Sequence, residues 1–431
     1  MRVPHGTSRA SPTLPRLVGM GAGDRTRKGP LGVARPAPAR RRPTLLAILA
    51  AGTIALLLTT AALGAVLFAA NTSRKHQISR GSEAATRCTA RAGSLAGAAR
   101  EMALASAGGV VCLAAGTYSG TLSLTGRHAR DVVLQAAPRA HVRTGKIVIG
   151  GSHLVLRGLW VDGEVALEAG ASFITLDHND ITGGGEGVVF DTSDCTVPNA
   201  PKWSGCEPQA PITAVTIAGN RFHDIGRNGS EDAIHLDNWR NVTITGNEFD
   251  HIIESGEHTD CLQSVYGGTG LTFTRNYEHD NDCQGFFIKD GDATNVAFTD
   301  NLFIRDHEGS YANFAQIWDV RNLTVQRNTI WDGKGLALVA NEASFAPTAK
   351  IDHNLIGTFT VERPVGAPYA ITESENIFGH VPWSFRPSAG DRTTGHPRFI
   401  DAGRGDYRLA RNRHGIGIDW NLAAQHYGPS T

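Results

Sequence analysis

Apolar residues alternate along most of this chain in short runs that end at an asparagine, as apolar–x–apolar–x–x–Asn–x–apolar. Ile174-Thr-Leu176 leads to Asn179 and Ile181, and Val215-Thr-Ile217 leads to Asn220 and Phe222. The pattern returns at Asn247 (Val242, Ile244, Phe249), Asn276 (Leu271, Phe273), Asn301 (Val296, Phe298, Phe303), Asn328 (Leu323, Val325, Ile330), Asn354 and Asn376. Successive asparagines stand 41, 27, 29, 25, 27, 26 and 22 residues apart. A period in the twenties means a stacked repeat. Alternation at period two makes each unit strand-built, and Gly-, Asn- and Asp-rich stretches supply the turns. One such unit cannot bury its own apolar face, so units must stack as coils. An asparagine at the same corner of each coil then bonds to its neighbours. The pattern predicts an all-β fold, a right-handed parallel β-helix (solenoid) of about ten coils over residues 86–420 with an internal asparagine ladder.

The segments outside the repeat read differently. Residues 44–70 (TLLAILAAGTIALLLTTAALGAVLFAA) carry no charge and at ~1.5 Å per residue reach ~40 Å, enough for one transmembrane helix. Arg40-Arg41-Arg42 before it place the N-terminus in the cytoplasm and the body outside. The run is too long for a cleaved signal peptide, and Phe68-Ala69-Ala70 is a poor cleavage site. The expectation is therefore a single-pass cell-membrane protein. A basic disordered tail at 1–43 precedes a signal-anchor at 44–70. A linker at 71–85 follows, and a C-terminal tail at 421–431 ends the chain. The zero formal charge hides an asymmetry: ten of the 41 basic residues but only one acid, Asp24, fall in residues 1–43. The remainder is net negative, which argues against nucleic acid as a partner. A monomer is expected.

All six cysteines follow the apolar segment, as disulfides in an exported domain would. Cys88–Cys112 would tie a helix to the first strand, and Cys195–Cys206 would close a Pro-containing loop. Cys261 and Cys283 are about one coil apart, but alignment on the asparagines sets them out of register, so their pairing stays open.

Residues 88–107 predict an amphipathic helix, followed by Gly109-Val-Val-Cys-Leu113 and Ala-Ala-Gly-Thr-Tyr118. This succession resembles the N-terminal cap of β-helix proteins of the pectate lyase and chondroitinase B type. His396-Pro-Arg-Phe399 and Gly405-Asp-Tyr407-Arg-Leu409 resemble the closing segment of the same group. The resemblance implies a fold that hosts lyases, hydrolases, epimerases and adhesins alike.

A second strand lies twelve or thirteen residues before each asparagine. It predicts an outward column of His235, Gln263, Lys289 and Gln316 on successive coils, with Asp237 and Trp318 beside it. The acidic loops at Asp232, Asp260 and Asp282 would bring carboxylates from three coils together, as hard ligands for Ca²⁺. Gln284-Gly-Phe-Phe-Ile-Lys289-Asp-Gly291 resembles the strand that carries the basic lysine of the family-9 pectate lyases. The resemblance implies Lys289 as the base of a Ca²⁺-assisted polyuronate lyase, and His235, from the same outward column, is the second candidate catalytic group. Gln263, Gln316, Asp237 and Trp318 would then bind substrate. No arginine follows Lys289 one coil on, where Gln316 stands. A glycoside hydrolase pairing Asp232 with Asp260, or a non-catalytic glycan-binding module, are the alternative readings. A His–Asp column at His223-Asp224, Asp250-His251, His279-Asp280 and Asp306-His307 could bind a transition metal, although such residues at a β-helix corner more often cap turns.

Overall fold

The computed structural model describes residues 87–419 apart from 184, 193–209, 227–231, 255–258, 290–292, 305–314, 333–334, 341–346, 363–368, 383–384, 405 and 412–414. The expected tail, anchor, linker, C-terminal tail and Cys195–Cys206 bridge lie outside the described residues. Among the described residues no helix is long and apolar enough to cross a membrane.

Among the described residues thirty-one strands join into one continuous sheet wound through about nine turns. Every pairing within it is parallel. Three stacks of strands run along the coil. The first holds the strands leading to the asparagines, such as Ser172–Asp177, Ile212–Ala218, Ala293–Thr299 and Val320–Gln326. The second holds the short strands after them, such as Arg221–His223, Glu248–Asp250 and Tyr277–His279. The third holds Val165–Glu168, Val188–Asp191, Gln284–Ile288, Ala315–Trp318 and Leu336–Val339. Midway, Ile234–Thr245 and Asp260–Thr274 run unbroken from the third stack into the first.

The ladder has the expected register. The backbone N–H of Asn220 donates to Asn247 Oδ1 at 2.9 Å, and that of Asn247 to Asn276 Oδ1 at 3.0 Å; the chain continues through Asn301, Asn328 and Asn354 to Asn376. Each side-chain amide also donates to a carbonyl at the end of an earlier strand, as Asn247 Nδ2 does to Ile217 O. Leu159 takes the asparagine's place one coil earlier and donates its N–H to Asn179 Oδ1. Asp391 closes the far end by accepting from Asn376. The residue before each rung is left-handed: Gly158, His178, Gly219, Gly246, Arg275, Asp300, Arg327, His353 and Glu375 have φ between 51 and 63°. Inside, Phe222, Phe249, Phe273 and Phe298 stack at 5.0, 6.2 and 5.7 Å between ring centroids.

Two expectations change in detail. The helix is shorter than 88–107, spanning Leu95–Leu104. Ser94 starts it by accepting the Gly97 N–H, and Ala90–Ala92 before it pairs as a strand with Val111, Cys112 and Leu113. Cys261 and Cys283 are bonded, with Cα atoms 5.5 Å apart. Asp260 pairs with Gln284, so Cys283 stands just before the matched strand, within reach of Cys261 on the neighbouring coil. Cys88–Cys112 is bonded as expected.

Candidate functional site

The outer faces of the three stacks differ in chemistry. The first presents short hydroxyls, with Thr216, Thr243 and Thr272 in one row and Thr299 Oγ1 bonded to Thr274 Oγ1. The second carries interlocked charges and is then covered. Arg221 forks onto Asp250, while His279 lies between Glu248 and Asp280. Farther along, the antiparallel pair Phe399–Asp401 and Asp406–Leu409 folds back onto it. There Tyr407 packs with Leu302 and Ile304 and donates its hydroxyl to Asp332. Among the described residues the third stack carries the most diverse side chains, several of them buried: His235, Asp237, Gln263 and Phe287 lie beside the half-buried Lys289, Gln316 and Trp318.

Its register corrects the expected column. His235 pairs with Gln263, Gln263 with Phe287, and Phe287 with Gln316. Phe287, not Lys289, therefore occupies the slot between the two glutamines. Lys289 lies one outward position further along. It follows Ile288, which pairs with Ser264 and Ile317, and so stands level with Val265 and Trp318. Its Nζ lies 5.8 and 6.0 Å from the ring centroids of Phe287 and Trp318, and the two rings meet edge to face. Asp237, which pairs with Val265, shares that row two coils away. Lys289 and His235 are thus separated by two coils, ~10 Å at 4.8 Å per rung, and do not meet at one reacting atom.

A second row lies at the start of these strands. With Val188 paired to Ile234 and His235 to Gln263, Glu186, Asp232 and Asp260 fall in one column, and Gln284 continues it. Asp282 is outside this row, because four residues rather than two separate it from the inward Phe286. The three expected Ca²⁺ ligands do not converge. Asp232 Oδ1 accepts the Asp260 N–H and Asp260 Oδ2 accepts Gln263 Nε2 at 2.6 Å. Among the described residues Asp282 joins no group of metal-binding atoms with them. No step is therefore routed through calcium. Gln263 and Gln316 are both fixed, the latter by Gln284 Nε2 at 2.9 Å.

What the fold does assemble is a cluster around His235. Nδ1 lies 3.1 Å from Glu186 Oε1 and 3.2 Å from Asp232 Oδ2. Nε2 lies 3.3 Å from Asp237 Oδ1, close enough for an ion pair although the oxygen lacks hydrogen-bond geometry. Burial alone would push the imidazole pKa down, but the carboxylates of Asp232, Asp237 and Glu186 hold it well above the ordinary histidine value. Asp237 is raised, first by burial and then by the charges of Asp191 and Asp232, against the pull of His235. Glu186, Gln284 and Phe287 were not singled out from sequence. Aligning Gly187-Val-Val-Phe190 on Ala233-Ile-His-Leu236 would have found Glu186 opposite Asp232.

A family model described as the right handed beta helix region matches residues 167–330. The described residues fold as a right-handed parallel β-helix, in keeping with that match over part of the chain. No curated protein sequence matches it. Among solved structures it is similar to a rhamnogalacturonan lyase at 11% identity, over 79% of this chain and 98% of that one, with a TM-score of 0.47. An alginate lyase from Paenibacillus sp. str. FPU-7 aligns at 14% identity over 68% and 98%, with a TM-score of 0.43. The A-module of an Azotobacter vinelandii mannuronan C-5 epimerase aligns at 13% identity over 70% and 93%, with a TM-score of 0.41.

Proposed function

We propose that this β-helix protein acts on an acidic polysaccharide laid along the outer face of the third stack, and that it cleaves the chain by β-elimination. The observation that carries this reading is the arrangement of that face. Over successive coils it offers an imidazole among carboxylates, two immobilised carboxamides, and a lysine beside an indole ring. Fixed planar hydrogen-bonding groups suit sugar hydroxyls, an aromatic ring suits a sugar's apolar face, and a lysine in its neutral amine form can act as a base.

In this reading Lys289 takes the proton from the carbon next to the uronate carboxylate. The C–H electron pair forms the new C=C bond and expels the glycosidic oxygen, which takes a proton from solvent. The His235 cluster lies about two coils away on the same stack. The reading also places residues 44–70 in a membrane with the body outside the cytoplasm, and the Leu95–Leu104 helix as a cap over the first coil. A second reading, glycoside hydrolysis, is favoured by one observation: the Asp237 carboxyl is held up beside Asp191, as a general acid beside a second carboxylate would be.

The test is incubation of the full chain with polyuronates and neutral glycans, each with and without added Ca²⁺. Ultraviolet absorbance from a conjugated double bond supports elimination, and its dependence on Ca²⁺ reports whether calcium arrives with the substrate. New reducing ends without that absorbance support hydrolysis. Binding without cleavage would make the protein a glycan-binding module, and neither binding nor cleavage would refute the proposal.

A further inference from the structure

We propose that Glu186, Asp232 and His235 form a binding site for a divalent transition-metal ion of the Zn²⁺ class, with Asp237 orienting the histidine from behind. The first support is geometric. One imidazole nitrogen and two carboxylate oxygens lie within 4.8 Å of one another, and Nδ1 stands 3.1 and 3.2 Å from the two oxygens. Atoms that bind one ion at about 2.0–2.2 Å stand roughly 3–3.5 Å apart. An ion can therefore take the place of the Nδ1 proton with little rearrangement.

The second support is burial. Three carboxyl side chains face one imidazole, and Asp232, His235 and Asp237 are only 5, 8 and 8% exposed, so the donor atoms are held together largely out of solvent.

The third support is Asp237. Its Oδ1 is buried, has no hydrogen-bond partner among the described residues, and faces Nε2 at 3.3 Å. A metal-bound histidine gives its other N–H to a carboxylate, which fixes the tautomer and turns the free lone pair to the ion. Asp237 stands where that carboxylate is required. The Glu186 side chain, 25% exposed, links the site to solvent. An imidazole in the set favours a transition ion over calcium, whose ligands are oxygens.

The site rests on the functional reading only for its place in the groove, because metal binding is measured without substrate. The full chain is titrated with ZnCl₂ by calorimetry and with CoCl₂ by visible absorbance. One tight equivalent of Zn²⁺ and a Co²⁺ ligand-field spectrum are expected. His235→Ala abolishes both, Glu186→Gln weakens Zn²⁺ binding at least about tenfold, and Asp237→Asn weakens it roughly 10–100-fold. Asp282→Asn, outside the set, leaves the titration unchanged. Circular dichroism reports folding, and Glu186→Gln at the rim carries the test if His235→Ala does not fold. Absence of a tight Zn²⁺ equivalent overturns the proposal, as does unchanged affinity in Glu186→Gln or preference for Ca²⁺ over Zn²⁺. A chain that binds Zn²⁺ but cleaves no glycan refutes the lyase reading alone.

Discussion

Asn247 is wholly buried, and its N–H and side chain make five bonds at once. Oδ1 accepts from both the N–H and Nδ2 of Asn220, its own N–H donates to Asn276 Oδ1, and Nδ2 reaches both Ile217 O and Asn276 Oδ1. Asn247→Ala strands the Asn220 N–H and the Ile217 carbonyl in a site without solvent. The expected loss is about 1–3 kcal/mol, read as a lower denaturant midpoint at unchanged slope. The residue just before each rung has a weaker sequence signature. Its left-handed backbone is met by Gly219 and Gly246 but also by Arg275, Asp300 and Arg327, so residue type alone does not reveal the corner. Gly268 is constrained differently. It pairs with Trp239, which is fully buried and donates Nε1–H to Ser264, and a Cβ at Gly268 would enter the indole ring. Gly268→Ala should therefore cost on the order of 1–3 kcal/mol as an overpacked site, seen as a fall in Tm. Trp239→Phe in the same chain should recover part of it by making room.

Strand stacks set the accuracy with which the site could be read. The ladder asparagines were legible because each carries two signals, a fixed residue and an apolar alternation locked to it. The third stack has only alternation, and the turn joining it to the next strand changes length from coil to coil. His235 and Lys289 both lie twelve residues before their asparagines, yet Phe287 is the residue that takes the His235 row. Counting back from the ladder therefore slid Lys289 by one outward slot. Asp282 was likewise grouped with Asp260 by its acidity, although Gln284 is its counterpart in space. The second stack makes a pH prediction. Burial opposes the charged form of His279, but hydrogen bonds to Asp280 and Glu248 raise its pKa above the usual value. Its stabilising effect is complete below the unfolded value, about 6.5, and is lost as pH rises through the higher folded value. Burial would raise Asp250, but the Arg221 fork and His251 lower it. That contribution is present above about pH 3.9 and is lost as pH falls through the lower folded value. These two groups predict a stability plateau between roughly pH 4 and 6.5. His279→Gln should flatten its alkaline shoulder in a series of melts, and an unchanged shoulder would show that His279 does not govern it.

At the scale of the whole molecule, parallel stacking turns separate sequence repeats into continuous surfaces. A residue's neighbours across a face come from about 25 residues away, not from its own loop. This is why the fold was legible from one repeated motif while the Glu186–Asp232–His235 cluster was not: Glu186 lies 49 residues from His235, across the gap that interrupts the regular spacing. The same geometry orders the three outer faces by what each can do. Threonine rows run along the first face, with Arg240 and Arg321 at neighbouring outward positions and the Arg157–Asp177 and Lys350–Asp352 pairs toward its ends. On the second, charges satisfy one another and the Phe399–Leu409 segment then covers the apolar end. Among the described residues the third combines aromatic, lysine and carboxamide groups over consecutive coils, and on the proposed reading a linear polymer runs along the helix axis there. Separate subsites make a separable prediction. Lys289→Ala should abolish elimination on a polyuronate while leaving the melting curve nearly unchanged, because Lys289 is only half-buried on the outer side of the coil beside Phe287 and Trp318, not in the core. Trp318→Ala should instead weaken substrate binding, raising KM about tenfold with a smaller effect on kcat, since a ring that stacks on a sugar holds ground state and transition state alike. Steady-state kinetics on both variants test the assignment. A Lys289→Ala enzyme with full kcat would remove the lysine from the chemistry, and a Trp318→Ala enzyme with unchanged KM would move the polymer off this face.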